Sequence, residues 1–411
     1  MIDRHLLREQ PEETIKKLKL KDPSFNAERL VELDVVVREL QQRIEALRKQ
    51  RNDLADKGKS GVTQALRDQS AEVGKKLKQA EQEFQQVSAE FSDLYLSCPN
   101  IPETTLPVGG PDKNQVVREW GKQPSFSFTP KHHLDLAVAA QWIDFETAAV
   151  TTGSQFPLYK GDAVKLVYAL TMFMLKHNMR HGYSPVLPPA LVNEESLFVA
   201  SNFPKFKDQV YAVKDEDLYL IPTAEVSLLN MYRKNIFHSE QLPERLCAWT
   251  SCFRREAGGY GATERGLIRV HQFEKVELFA FTKPEDSSQE LERMLTCAEE
   301  ILQALGLHYR VSLLATQDCS FPSAKTFDIE VWMPGQNAYF EVSSCSNCTD
   351  FQARRGSIRY REKEGAKPQL VHTLNGSSLA LSRLMVALIE TYQQKDGTIV
   401  IPDVLKREGL F

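Results

Sequence analysis

Between Leu30 and Leu94 the apolar residues recur every three or four positions, and the run breaks once, around Gly58 and Gly61. Leu30, Leu33, Val37, Leu40, Ile44, Leu47 and Leu54 form the first stretch, interrupted on its seam only at Arg51; Leu66, Val73, Leu77, Ala80, Phe84, Val87, Phe91 and Leu94 form the second. A narrow seam at this spacing is buried only against another helix, so the pattern predicts two long helices paired antiparallel. Residues equidistant from a turn near Ser60, such as Leu47 with Val73, Leu40 with Ala80 and Leu33 with Val87, are all apolar and would meet across the pair. Some 30 residues rising ~1.5 Å each make an arm of roughly 45 Å. Its charge is uneven. Residues 43 to 78 carry ten Lys/Arg against five Asp/Glu, whereas 27 to 42 hold two basic and four acidic side chains and 79 to 98 hold four acidic and none basic. A distal basic zone suits a phosphate backbone, and a merely solvated helix face would also be charged; both readings stand on charge alone.

A Pro- and Gly-bearing linker, CPNIPETTLPVGGPDKN at 98 to 114, follows the arm. We therefore expect an N-terminal domain over 1–103 with the hairpin at about 27–98, a linker and entry over 104–130, and a compact domain over 131–411. The whole chain has a net charge of -4, which gives no general affinity for nucleic acid. Its seven cysteines, odd in number and irregularly spaced, do not read as a disulfide framework, and the charged start MIDRHLLREQPEE is no secretory signal. The longest apolar run, LVYALTMFML, is far short of the roughly 20 residues a membrane span needs. A cytoplasmic protein with no membrane contact is expected. Beyond the linker, helix and strand patterns mix without regular βαβ alternation, which predicts an α+β fold: an antiparallel sheet flanked by helices. GDAVKLVYALTMFMLKHNMRHGY reads as a helix and SPVLPP as an extended segment; strands are expected at QVYAV, LYLIPT, RLCAWTSCF, IRVHQFEKVELFAF, YRVSLLA, FDIEVWM and AYFEVSS. Over LNGSSLALSRLMVALIETYQQ the spacing returns to helix, with Asn375 or Ser377 able to start it.

Chemistry concentrates in CFRREAGGYGATERGLIRVHQFEKVE, residues 252 to 277. Counting the second strand by twos places Arg269, His271, Phe273, Lys275 and Glu277 on one face and Ile268, Val270 and Val276 on the other. Arg254 and Glu256 pair in the same way on the first strand. A ring among cations and a carboxylate suits a flat, anionic, amine-bearing ligand better than bulk water. Neither G-x-x-x-x-G-K-[ST] nor G-x-G-x-x-G occurs, and HExxH and GxSxG are also absent. The Cys345/Cys348 pair lacks a second close pair, so no structural zinc is expected and both read as buried thiols.

FRREAGGYGATERGLIRVHQFEKVE closely resembles the motif 2 region of bacterial-type seryl-tRNA synthetases, a class II family. Further signatures follow in order: IPTAEVSL at 221 to 228, EVSSCSNCTDFQARR at 341 to 355, and LNGSSLALSR at 374 to 383 for motif 3. The helix and PVLPP segment resemble motif 1, which implies a homodimer. By this resemblance the chain activates L-serine with ATP and transfers it to serine tRNA; loading of selenocysteine tRNA is a further activity of the family. The implied ATP contacts are Arg254, Arg255, Glu256, Phe273, Glu341, Val342, Ser343, Ser344 and Arg383. Among them, Arg254 and Arg383 are the implied catalytic pair, Phe273 and Arg383 stack on adenine, and Glu341 and Ser344 hold Mg²⁺. Thr223, Ala224, Glu225, Glu277 and Ser377 are the implied serine site. The arm and the motif 2 loop would bind tRNA. Two places depart from the usual pattern: Ala262-Thr263-Glu264-Arg265 stand where Arg-Asp-Thr-Arg is usual, and Ser378 and Ser382 replace glycines. Neither departure falls on an implied ATP or serine contact.

Overall fold

The computed structural model describes residues 1–59, 61–256 and 266–411 and divides into two compact units, Met1–Ile101 and Pro102–Phe411. The motif 2 loop residues Ala262 to Arg265 lie outside the described residues.

The first unit is the paired-helix arm. After two short helices, Arg4–Glu9 and Pro11–Lys21, come α1 (Ala27–Gly58) and α2 (Gln64–Leu96). Both begin on side-chain caps: Asn26 accepts from the Arg29 amide and Thr63 from the Leu66 amide, each relieving an otherwise unpaired helical N–H. The predicted seam is buried at Leu30, Leu33, Val37, Leu40, Ile44 and Leu47 of α1 and at Leu77, Ala80 and Phe91 of α2. Ile44, Leu47, Leu77 and Ala80 form one cluster, with Val73 and Phe84 packed against it. Arg29–Glu90 and Arg48–Glu81, each at 2.8 Å, cross between the helices in the same antiparallel register. Arg51 is exposed, and Leu54 and Leu66 are only half-buried, so packing loosens toward the turn.

The second unit is built on an eight-stranded sheet. Its members in chain order are β1 (Gln115–Trp120), β2 (Ser184–Val186), β3 (Glu244–Phe253), β4 (Gln272–Thr282), β5 (Tyr309–Leu313), β6 (Lys325–Met333), β7 (Ala338–Asn347) and β8 (His372–Ala380). The spatial order is β1-β5-β6-β7-β8-β4-β3-β2, antiparallel throughout except where β2 runs parallel to β3. Three helices, α3 (Asp162–Arg180), α4 (Ser287–Ala304) and α5 (Leu381–Thr391), share one large core with this sheet. From Phe273 on, the predicted alternation holds. Val276, Leu278 and Ala280 enter that core, while Phe279 and Phe281 join a second core on the opposite face with Leu197, Ile221 and Val226.

Five expectations are corrected. The helix expected from Asn375 or Ser377 starts at Leu381, because His372–Ala380 is the strand between β7 and β4. Two neighbouring strands give those residues ladder partners on both sides, and that outweighs their helical spacing. The strand expected from Ile268 starts at Gln272; residues 266 to 269 turn instead, with Gly266 at φ +75°. A Cβ on Gly266 would come within 2.3 Å of His133 Nε2, so both the conformation and the space require glycine. The first strand likewise ends at Phe253, leaving Arg254 and Glu256 beyond it, with Glu256 itself at φ +47°. LYLIPT shortens to the pair Tyr219–Leu220, and QVYAV keeps only a bridge from Ala212 to Tyr219.

Candidate active site

One polar cavity of about 250 Å³ opens where β3, β4, β7 and β8 meet the start of α5. Arg254, Glu256 and Phe273 line one side; Glu341, Val342, Ser377 and Arg383 line the other. Seven of the residues implied by the sequence thus converge from a stretch of 130 positions, counted from Arg254 to Arg383 inclusive. The guanidinium of Arg254 lies 5.2 Å from the Phe273 ring centre, a cation–π distance. Opposite it, Arg383 donates to the carbonyls of Glu341 (2.8 Å) and Ile268 (3.2 Å) and pairs with the Glu341 carboxylate at 3.3 Å. Two arginines therefore face one cavity from opposite sides, an arrangement suited to anionic oxygens.

Two β-bulges decide which side chains share the cavity. In a regular strand Glu341 and Ser344, three apart, would point to opposite faces. The β7/β6 register shifts between Glu341 and Ser343, so Glu341 pairs with Glu330 and Ser344 with Asp328. Glu330 and Asp328 are two apart on β6, and the extra residue Val342 brings Glu341 and Ser344 to their common face. The second bulge, at Ser378, pairs Ser377 with Glu277 and Ala380 with Lys275 in the same manner. Ser378 points away instead, and its buried hydroxyl donates to Asn178 Oδ1 at 3.1 Å. Ser382 lines the cavity beside Arg383, so this second departure does touch the implied ATP site.

Behind the cavity lies a buried polar cluster. Lys275 Nζ donates to Thr223 Oγ1 at 2.8 Å and pairs with Glu277 at 2.6 Å. Glu225, in the first turn of the short helix Glu225–Asn230, accepts from Gln352 Nε2 at 2.6 Å and Asn375 Nδ2 at 3.2 Å. Burial, with the Glu277 charge adding to it, pushes the Glu225 carboxyl up to about 7. Burial raises Glu277 as well, against the pull of Lys275 and Thr223. Lys275 and Arg269 are the site members for which the sequence assigned no role. Arg269 sits in the turn and holds Glu256 at 2.5 Å, and both residues line the cavity.

Three implied residues stand apart. Arg255 is exposed and uses its backbone N–H on the Gln209 carbonyl. Ala224 is buried at the start of its helix, and the Ser343 hydroxyl is committed to the Ser377 carbonyl. Asp328 is the residue that sequence reasoning missed. Its carboxyl is raised well above its ordinary value by burial and by Glu341, against a hydrogen bond from Ser344, while Oδ1 is buried with no hydrogen-bond partner among the described residues. Glu341, Ser344 and this orphaned oxygen present hard oxygen donors on one face, a set that fits a Mg²⁺ ion.

Comparison with known proteins agrees with this architecture. Residues 209–392 match the tRNA synthetase class II core domain (G, H, P, S and T), and residues 1–102 match the seryl-tRNA synthetase N-terminal domain. The antiparallel sheet with two arginines over its central strands is thus the core of a class II aminoacyl-tRNA synthetase. A serine–tRNA ligase of Chlamydia abortus is 46% identical over 99% of this chain and 97% of its own length. One from Desulfotalea psychrophila is 52% identical over 82% of this chain and 79% of its own. The crystal structure of seryl-tRNA synthetase from Pyrococcus horikoshii complexed with ATP superimposes with a TM-score of 0.92 at 36% identity, covering 100% of this chain and 98% of that one. The chain belongs to the seryl-tRNA synthetase family.

Proposed function

We propose that the cavity between Arg254 and Arg383 is where this serine–tRNA ligase joins L-serine to ATP. The carboxylate of serine attacks the α-phosphorus of ATP and pyrophosphate leaves; the 3'-terminal ribose of tRNA then attacks the seryl carbonyl and AMP leaves. No protein base is needed for the first step, because the nucleophile is already ionised. Arg254 meets the α-phosphate with a fork that stays charged, countering the charge that grows on the equatorial oxygens. Phe273 and Arg383 take the two faces of adenine, and Glu256, held by Arg269, completes the nucleotide contacts. Glu341 and Ser344, supported by Asp328, hold Mg²⁺, which when bound neutralises phosphate charge. The buried cluster receives serine: Glu225 and Glu277 face its ammonium, and Thr223 and Ser377 supply polar partners for the rest. A pocket that hydrogen-bonds the substrate hydroxyl is left with unpaired groups when alanine enters, so alanine is rejected strongly.

The basic arm reads serine tRNA by shape and backbone. Lys49, Arg51, Lys57, Arg67, Lys75 and Lys78 are all exposed and have no ion pair among the described residues, which leaves them available to phosphates. Two copies associate through α3, whose Val164, Tyr168, Met172 and Met179 are exposed, together with Leu187 just past β2. No described helix is long and apolar enough to cross a membrane, and all seven cysteines are buried free thiols, in keeping with a cytoplasmic setting. The convergence of Arg254, Phe273, Glu341 and Arg383 on one cavity carries this reading. Pyrophosphate exchange into ATP, assayed with each amino acid in turn, tests it: serine alone supports exchange, and comparable exchange with alanine or threonine overturns it.

A further inference from the structure

On the far side of β8 from the serine pocket, the end of α3 meets the middle of α4. His177 and His181 are one turn apart on the α3 side, and Cys297 and Glu300 are nearly one turn apart on α4. The four face each other. The donor atoms of His177, His181 and Cys297 lie within 4.8 Å of one another. Glu300 Oε2 lies 2.9 Å from His181 Nε2 and 3.7 Å from His177 Nε2, and the two rings are 4.5 Å apart, tilted by 33°.

We propose that His177, His181, Cys297 and Glu300 form a binding site for a divalent transition-metal ion of the zinc type, clamping α3 to α4. Two imidazoles, a thiolate and a carboxylate are the borderline donor set that such ions select, and four ligands close a tetrahedral shell. The donors of His177, His181 and Cys297, up to 4.8 Å apart, must draw in by somewhat over an ångström, because tetrahedral zinc with bonds of about 2.0 to 2.3 Å holds its ligands roughly 3.5 Å apart, and the Glu300 carboxylate, which now reaches the two imidazoles, must move toward Cys297 Sγ. Rotamer shifts at His181 and Glu300, both partly exposed, can supply that movement. The neighbourhood favours a cation. His181 caps the C-terminal end of α3, where the helix dipole is negative. His177 Nε2 now lies 3.1 Å from the Cys297 carbonyl oxygen and exchanges that contact for the ion. Cys297 is a fully buried thiol whose Sγ now donates to Asn178 Oδ1 at 3.4 Å. On binding metal it loses its proton to solvent, and Asn178 Oδ1 keeps the Ser378 hydroxyl as donor.

The chain carries one other compact donor group, His132, His133 and Glu390, among the described residues, and it has no thiol. Cobalt(II) distinguishes the two. The full-length, untagged protein titrated with Co²⁺ should bind one ion per chain with intense visible bands of a tetrahedral site and a thiolate-to-metal band in the near ultraviolet, both displaced by Zn²⁺. Cys297→Ser should lose the thiolate band, and His181→Gln, a change at a partly exposed ring, should weaken Co²⁺ binding at least ten-fold. Serine-dependent exchange in the metal-free His181→Gln protein should match the wild type, which shows that the variant is folded. A wild-type protein without the thiolate band, or a band that survives in His181→Gln with unchanged affinity, overturns the proposal; the four residues are then a hydrogen-bonded helix contact.

Discussion

At the scale of single residues, the site combines an exposed guanidinium, Arg254, with carboxyls buried at Glu225 and Glu277. In the proposed site Arg254 meets the α-phosphate, and the other two guanidinium groups of the cavity are already paired, Arg269 with Glu256 and Arg383 with Glu341. Arg254→Ala should therefore lower kcat for serine-dependent exchange by roughly 10²–10³-fold, the range found when one preorganised donor to developing charge is lost. Circular dichroism should be unchanged, since Arg254 is exposed. Glu225 sets a pH dependence. A carboxyl that ordinarily titrates near 4.5 is held protonated up to about 7 by burial and by Glu277. In the proposed serine site only its anion attracts the ammonium, so kcat/KM for serine should climb between about pH 6 and pH 8, and Glu225→Gln should flatten that rise along with lowering its plateau. The same shift acts on folding. Above about 4.5 the unfolded chain releases a proton that the folded state keeps, so this group's contribution to stability falls as pH rises toward about 7. Neither residue's role required the structure to nominate it, but the environment that raises Glu225 did: Glu277 is 52 positions away, and only the fold brings it near.

At the scale of elements, the paired helices and the sheet divide the labour. Every residue we place at ATP or serine belongs to the second unit, whereas the exposed cations of the hairpin belong to the first. Deleting residues 27–98 and bridging the stump should leave pyrophosphate exchange within a few-fold of normal and abolish charging of serine tRNA. Equal loss of both in a folded truncation would contradict the division. In the intact protein, tRNA affinity should fall linearly on a log–log plot against salt, and Lys75→Ala with Lys78→Ala should make that slope shallower by up to about 0.9 per phosphate contact removed. The hairpin was legible because its seam repeat is local: each seam residue needs only the partner helix that the same repeat specifies. β8 was not. Its residues carry helical spacing, and what makes them a strand is the presence of β7 and β4 on either side, which are distant in the chain.

At the scale of the whole molecule, α3 presents Val164, Tyr168 and Met172 outward at four-residue intervals, with Met179 two turns further along the same helix. Such a stripe is costly to leave in water. We propose that two copies pair through this stripe: the wild type should then run as a dimer in sedimentation or light scattering and Tyr168→Glu combined with Met172→Glu as a monomer, while a monomeric wild type or a dimer of unchanged size in the variant would contradict that contact. Periodicity and motif composition are properties of neighbours along the chain, and they sufficed for the arm, the α+β class, the order of the family's signatures and most of the residues that meet at the cavity. Three things waited on the packing of distant segments. Glu341 and Ser344 share one face because a bulge at Val342 breaks an alternation that counting along the chain must assume. Asp328 enters the site because cross-strand pairing sets it opposite Ser344. His177 and His181 meet Cys297 because two helices far apart in sequence pack side by side over the same sheet.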